Sequence, residues 1–280
     1  MKKLSFKIIS VFLLLITLSY ACTDDFVDVD PIAVNSENFF NSEEDYQNAL
    51  IGAYDPLQST YLNVLLGEIA SDNTLAGGES ATDVIGIQEV DDMIHTTTNQ
   101  QLRDIWNWMF GGVNRANYIL EFQDKTDFTG KNEVIAQARF LRAYYYFELV
   151  KWFGDVPLVV DKRFLFGDQF EVDRTPKAEV YAQIEADLIF AADNLPAMQS
   201  ESGRVTKGAA QALLGKAYLY QEKFTEAAQV LENLIATGPY DLATDYATIW
   251  EEAGENNMES VFEVQYSDQQ GAGFACLQCS

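Results

Sequence analysis

The chain of 280 residues carries 18 Lys and Arg against 43 Asp and Glu, a formal net charge of −25, and a single histidine. That balance argues against nucleic acid as a partner, because binding it needs Lys and Arg to neutralise phosphates, and against polyanionic glycans unless a local basic pocket exists. Solubility on a crowded surface is the plainer use of the charge, and the length suffices for a full hydrophobic core.

Lys2, Lys3 and Lys7 open the chain, an apolar run follows from Ile8 to Leu18, and Ser19, Tyr20, Ala21 and Cys22 come next. This is the pattern of a secretory signal. The run falls short of the roughly 20 apolar residues that span a bilayer as a helix, so it predicts a cleaved leader over residues 1–21. Cys22, directly after a small residue, resembles the lipobox of bacterial lipoproteins, in which the thiol is acylated and the chain is cut just before it. The pattern departs at two places: Leu18 lies four residues before the cysteine instead of three, and Tyr20 stands where Ser or Ala is usual. An ordinary secreted protein is the alternative. Acylation would anchor the chain firmly, since each buried CH₂ contributes about 0.8 kcal/mol. Residues 22–34, with Asp24, Asp25, Asp28 and Asp30 and no basic side chain, read as a solvated tether, and residues 35–280 as the body.

Helical signals dominate that body. Ser42 reads as an N-cap, with Asp45 at the third helical position, for a helix through Glu44, Tyr46, Ala49, Leu50 and Tyr54 that ends near Pro56. Gly67 to Asn99 is rich in Gly, Ser, Thr, Asn and Asp, which predicts turns and not core. Helical spacing returns from Leu102 through Ile105, Trp106, Met109, Val113, Ala116, Asn117, Leu120 and Phe122. Trp106 and Trp108 are two apart and point to different sides, so at least one is expected in the core. In the stretch AQARFLRAYYYFELVKWFGDVPLVV, Ala136 to Val160, apolar residues keep to no single stripe. Val134, Ala138, Leu141, Tyr145, Leu149 and Trp152 share one helical spacing, and Phe140, Ala143, Tyr144, Phe147 and Val150 cover the adjoining faces. Such a helix is walled in on several sides. Tyr144, Tyr145 and Tyr146 fan out around it and predict core packing rather than a binding platform. Arg139 and Arg142, three apart, predict an ion pair with a carboxylate ahead of an anionic ligand. Gly154 and Pro157 stop the helix and turn the chain into the extended run Leu158 to Val160. Thr175 and Pro176 predict an N-cap and first position for a helix through Val180, Ile184, Leu188, Ala191 and Ala192, ended by Asn194 and Pro196.

Between Gly208 and Asp241, the tetratricopeptide spacing is met by Leu214, Gly215, Tyr218, Ala227 and Pro239, with Leu231 where Phe is usual and Gln211 in place of Trp. Gly215 and Ala227 are small where two antiparallel helices cross. One repeat cannot bury its own apolar face, so the other helix pairs are expected to stack on it. Ser260 to Tyr266 alternates like a strand. The expected fold is mainly all-α, a tetratricopeptide-like right-handed helical solenoid with long loops and minor strands. Cys276 and Cys279 form a CxxC, but no second pair or histidine lies near it, and neither a zinc nor a redox role is expected.

These stretches resemble the N-terminal half of the SusD/RagB family of outer-membrane nutrient-binding lipoproteins. The resemblance rests on Cys22, on FFNSEEDYQNALIGAY, on ARFLRAYYYFELVKWFGDVPLV, on GRVTKGAAQALLGKAYLY and on NNMESVFEVQYS, of which the third and fourth are the specific ones. The acidic run after Cys22 likewise resembles the surface-export signal of Bacteroidota lipoproteins. The resemblance implies a lipid-anchored protein of the outer membrane, facing outward, that captures oligosaccharides, or in some members peptides, for a TonB-dependent (SusC-like) transporter. It implies no enzyme and no cofactor. Family members are much longer, so the body reads as incomplete at its C-terminus, with the strand at Ser260 to Tyr266 expected to pair with strands from the other half.

A sugar site needs aromatic rings beside carboxylates, amides or Arg, and loops carry such groups well. The family's acidic contact in a motif like SDN maps onto Asp72 and Asn73, for which a capping or Asx-turn role is the competing reading. Glu79 and Asn99 are further ligand-binding candidates. No Phe, Trp or Tyr occurs between Tyr61 and Trp106, so the stacking aromatic is expected from the other half, or the ligand is not starch-like. A glycosidase would need two placed carboxylates, and no Ser-His-Asp set or metal-ligand pattern stands out. A tetratricopeptide-type scaffold for protein partners is the alternative to glycan capture.

Overall fold

The computed structural model describes residues 39–80, 82–160, 162–165, 167 and 172–266. The leader, Cys22, the acidic tether and the Cys276/Cys279 pair lie outside the described residues. The chain divides into two units, Met1–Phe39 and Phe40–Ser280, and the second holds all the helices described below.

Helix α1, Glu43–Tyr54, starts with a capping box. Ser42 accepts the amide of Asp45, whose carboxylate takes the amides of Ser42 and Asn41 at 3.0 and 2.9 Å. Pro56 does not end the path. It sits early in a 3₁₀ turn, Asp55–Ser59, that leads directly into α2, Thr60–Ile69, so helix intrudes on the stretch whose composition predicts turns. A further short helix, α3, Ile85–Asp91, interrupts that stretch again. Helix α4, Gln100–Glu121, and α5, Lys131–Phe153, form a long pair; α6, Lys177–Asn194, α7, Lys207–Tyr220, and α8, Phe224–Thr237, follow. From α4 to α8 each helix packs on the next in chain order, with α1 against both α4 and α5. This is the expected tetratricopeptide-like stack.

Helix α5 is central because its neighbours cover it on several sides. Buried positions from Val134 to Val150 run around the helix, including Tyr145 and Tyr146, both fully buried. Gly112 of α4 explains how the two helices come so close: a Cβ there would lie 2.5 Å from the Tyr145 ring. The Tyr145 hydroxyl donates to Ala53 O at 2.7 Å and Arg115 Nη1 to Gly52 O at 2.8 Å. Both carbonyls belong to the last turn of α1, where a helix has no acceptors' partners of its own. The pairing of α7 with α8 likewise needs Gly215, since a Cβ there would meet Leu231 Cδ2 at 2.6 Å.

Buried polar groups stitch the irregular chain after α5 to the stack. Asn117 Nδ2 donates to Val159 O at 2.8 Å and to Lys162 O at 3.0 Å, and the Tyr146 hydroxyl both donates to Val159 O and accepts its amide. Arg142 donates to Val160 O at 2.6 Å and to Asn117 Oδ1 at 3.0 Å, and grips Asp187 of α6 with two bonds of 2.8 Å. Arg139 reaches the same carboxylate at 4.0 Å and lies over the Phe190 ring. Arg142 is thus committed to a buried ion pair with Asp187, the carboxylate partner that the sequence predicts, Arg139 stands at its edge, and Val160 O is satisfied.

Two expected details change. The N-cap of α6 is Pro176, not Thr175, because Thr175 is held in an antiparallel bridge with Val156, and the carboxylate of Asp155 takes the Lys177 amide at 2.8 Å in its place. Ser260 to Tyr266, whose strand partners are expected from the other half, contains no strand, and none lies along it among the described residues. Side chains hold it instead, with Phe262 edge-on to Phe140 and the Tyr266 hydroxyl donating to Gln58 O at 3.0 Å. The expected minor strands reduce to the Val156–Thr175 bridge among the described residues.

Candidate functional site

A cavity of about 650 Å³ opens between the N-terminal turns of α4, the C-terminal end of α5 and the loop after α3. Asn99, Arg103 and Trp106 line it at positions i, i+4 and i+7 of one register, which places them on the same side of the start of α4. Trp152 and Phe153, the last residues of α5, form the opposite wall, and Met93, His95, Thr96 and Thr97 come from the loop.

Each ring is braced from behind. Trp106 packs at 4.7 Å from Phe110 and edge-on at 5.2 Å from Phe153. The indole N–H of Trp152 donates to Asn63 Oδ1, the Asn63 amide donates to Glu148, and Lys151 pairs with Glu148. Asn63 and Glu148 are buried, so this chain of bonds fixes the ring, with Lys151 Nζ over one face at 6.0 Å from its centre. The expectation that Trp106 or Trp108 is core is not met. Both are half-buried, and Trp106 faces the cavity.

The loop is positioned by Asn99. Its Oδ1 accepts the amides of Gln101 and Leu102 at 3.0 and 3.1 Å, and its Nδ2 donates to Gly86 O and Glu89 at 2.9 and 2.8 Å. One buried amide therefore caps α4 and ties α3 to it. Met93 adopts a left-handed φ of 55° where the chain leaves α3, a conformation uncommon outside glycine.

Of the four sequence candidates, Asn99 alone lines the cavity, and its side-chain amide is already spent on the cap. Asp72 and Asn73 are exposed on the turn after α2, where Ser71 Oγ accepts the Asn73 amide at 3.2 Å. Glu79 is exposed too; its amide goes to Asp83, whose carboxyl is held below the usual range by the Ser80 hydroxyl and by the amides of Ser80 and Glu79. Asp91 accepts the Ala76 amide at 2.9 Å and so ties this outer loop to α3. The residues that composition did not single out are Trp106, Trp152, Phe153, His95 and Arg103. A signal for part of them exists in the sequence: the i, i+4, i+7 spacing of Asn99, Arg103 and Trp106 beside a loop.

The arrangement offers aromatic faces with a rim of hydroxyls, an imidazole and a guanidinium, the groups that meet a sugar's apolar ring and its hydroxyls. None of the described lining residues is Asp or Glu, so the carboxylate pair that glycoside hydrolysis uses is not assembled there.

Residues 25–219 match the model of the SusD-like family, described as starch-binding and associating with the outer membrane. The chain belongs to the SusD-like family, a family of non-catalytic binding proteins. It is 28% identical over 281 residues to the SusD-like protein P2 of Formosa agariphila and 24% identical over 277 residues to protein P25 of the same organism. It covers 53% and 51% of their lengths, with 93% and 92% of this chain aligned. Among solved structures, a laminarin-binding SusD-like protein is similar at 32% identity and a TM-score of 0.74, over 81% of this chain and 52% of that one. The surface glycan-binding protein A of Bacteroides thetaiotaomicron, solved with laminarihexaose, matches at 29% identity and a TM-score of 0.72, over 81% of this chain and 50% of its own. The chain therefore spans about half the length of these relatives.

Proposed function

We propose that this chain captures oligosaccharides at the outer membrane and hands them to a TonB-dependent (SusC-like) transporter. The single observation that carries the reading is the cavity walled by Trp106, Trp152 and Phe153 beside the Thr96–Asn99 rim. Membership of the family and the glycan-bound relatives support it. A pyranose stacks on the indole of Trp106 or Trp152 while its hydroxyls meet Thr96, Thr97 and His95. Asp72, Asn73 and Glu79, on the outer loop, contact longer chains. Cys22 carries the lipid that keeps the protein at the membrane, facing outward. A second surface supports a protein partner as well: Phe224, Ile235, Leu242, Tyr246 and Trp250 are exposed apolar side chains on and after α8.

Affinity electrophoresis in gels containing laminarin, starch, xylan and other polysaccharides tests the capture. Retardation by at least one of them, lost in Trp106→Ala and in Trp152→Ala but kept in Trp250→Ala, is the expected result. Equal retardation of the wild type and both cavity variants would overturn the placement, and absence of retardation in every gel would overturn glycan capture.

A further inference from the structure

We infer that the glycan taken by this cavity carries an acid group, a uronate carboxylate or a sulfate ester, placed against Arg103. The inference rests on the glycan reading of the same cavity. In a chain of 43 acidic and 18 basic residues, none of the described side chains lining the cavity is acidic, and one is an arginine. Arg103 is exposed and pairs with no carboxylate among the described residues; its guanidinium donates to the side-chain carbonyl of Gln100. Among the described residues, Arg115, Arg139, Arg142, Arg163 and Arg204 each lie within 4.0 Å of a carboxylate, while the exposed Arg174, which does not line the cavity, shares the unpaired state of Arg103.

Its position sharpens the point. Arg103 stands at the start of a 22-residue helix whose first turn contains no acidic residue. The N-terminal end of a helix dipole is positive and disfavours a cation, so helix stability gives no reason for an arginine there. An anion, on the other hand, is favoured by the guanidinium itself, the amides of Gln101 and Leu102 being already taken by Asn99 Oδ1. The neighbouring carboxylates each bond a neutral amide instead of the guanidinium, or stand outside the cavity. Glu89 accepts from Asn99, Asp91 from the Ala76 amide and Asp104 from Gln100, at 2.8, 2.9 and 2.6 Å; Asp92 is exposed and does not line the cavity. Arg103 and Trp106 are three apart, and side chains at that spacing start about 5–6 Å from each other on the helix surface. An acid group on the edge of a pyranose that lies on Trp106 comes within reach of the long Arg103 side chain from there. A sugar lying on Trp106 thus presents its carboxylate or sulfate to a planar fork of donors that accepts either one in two-bond geometry. This is the local basic pocket without which the net charge argues against acidic glycans.

Affinity gels of the purified chain in laminarin, polygalacturonate, alginate and carrageenan read the preference. The expected result is retardation by a uronate polymer or by the sulfated carrageenan at least about tenfold tighter than by laminarin, since bonds to a charged group contribute more than neutral ones. Arg103→Gln should weaken that binding about tenfold or more, and Arg103→Lys less, while both keep the wild-type melting temperature because the side chain is exposed. Which polymer responds tells carboxylate from sulfate. Laminarin bound as tightly as the acidic polymers, or acidic binding unchanged in Arg103→Gln, would overturn the acid inference and leave glycan capture standing. No retardation by any polymer would overturn both.

Discussion

Replacing Asp187 by leucine asks what holds the buried guanidinium of Arg142. Asp187 has no exposed surface and takes two bonds of 2.8 Å, while the remaining donors of Arg142 reach Asn117 Oδ1 and Val160 O. Breaking a buried pair by removing one partner costs about 3–5 kcal/mol, because the other charge stays behind uncompensated. The two bonds that survive put the expected loss at the lower end, about 3 kcal/mol. Arg142→Met removes the charge but leaves Val160 O and Asn117 Oδ1 without their donor, at about 1–3 kcal/mol each. The Arg142→Met/Asp187→Leu variant contains neither member of the pair, so it should be less destabilised than the sum of the two single changes by at least about 2 kcal/mol. Urea denaturation followed by tryptophan fluorescence measures all four proteins on one scale. A loss below about 1 kcal/mol in Asp187→Leu, or strict additivity in the double variant, would show that the ion pair does not organise the α5–α6 contact and the chain from Val159 to Lys162.

Gly112→Ala places a methyl 2.5 Å from a Tyr145 ring whose hydroxyl is pinned to Ala53 O, and should lower stability by about 2–3 kcal/mol in thermal melts. Gly111→Ala meets nothing within 4 Å and should be neutral or stabilising by up to about 1 kcal/mol, which isolates the steric cause. Gly215→Ala should loosen the α7–α8 crossing against Leu231, 2.6 Å from the new carbon, and Leu231→Ala in the same chain should restore part of the loss. Burial raises the phenol of Tyr145 well above its ordinary value and that of Tyr146 to about 12. The folded chain then keeps protons that the unfolded chain releases, so stability is whole below the unfolded tyrosine value near 10 and falls as pH rises toward 12. The urea midpoint should hold up to about pH 9.5 and decline above 10, more shallowly in Tyr146→Phe; a midpoint flat to pH 11 would refute the assignment.

The stack was legible in the sequence because each of its devices is local. Ser42 and Asp45 lie within one turn, Gly215 and Leu231 within one repeat, and the all-round apolar pattern of α5 within a single helix. Asp187 as the partner of Arg139 and Arg142 was foreseeable only as some carboxylate, since nothing in the spacing of α5 names a residue of the following helix. At Ser260 to Tyr266 alternation marks a segment able to pair, but a ladder is made by the partner, expected from the other half, and packing of Phe262 on Phe140 uses the same alternation without one. The site was the least legible part. Composition drew attention to the polar loop and away from α5, of whose tyrosines Tyr145 and Tyr146 are core and Tyr144 is half-buried. Yet the last turn of that helix leaves the core just where Gly154 ends it, and there Trp152 and Phe153 come to face Trp106 from α4. An aromatic wall built from the ends of two helices has no contiguous signature; it forms only once Gly112 lets Tyr145 close the distance between them. The aromatic helix thus serves both roles, with its middle setting the spacing of the stack and its end supplying the rings that the loop lacks.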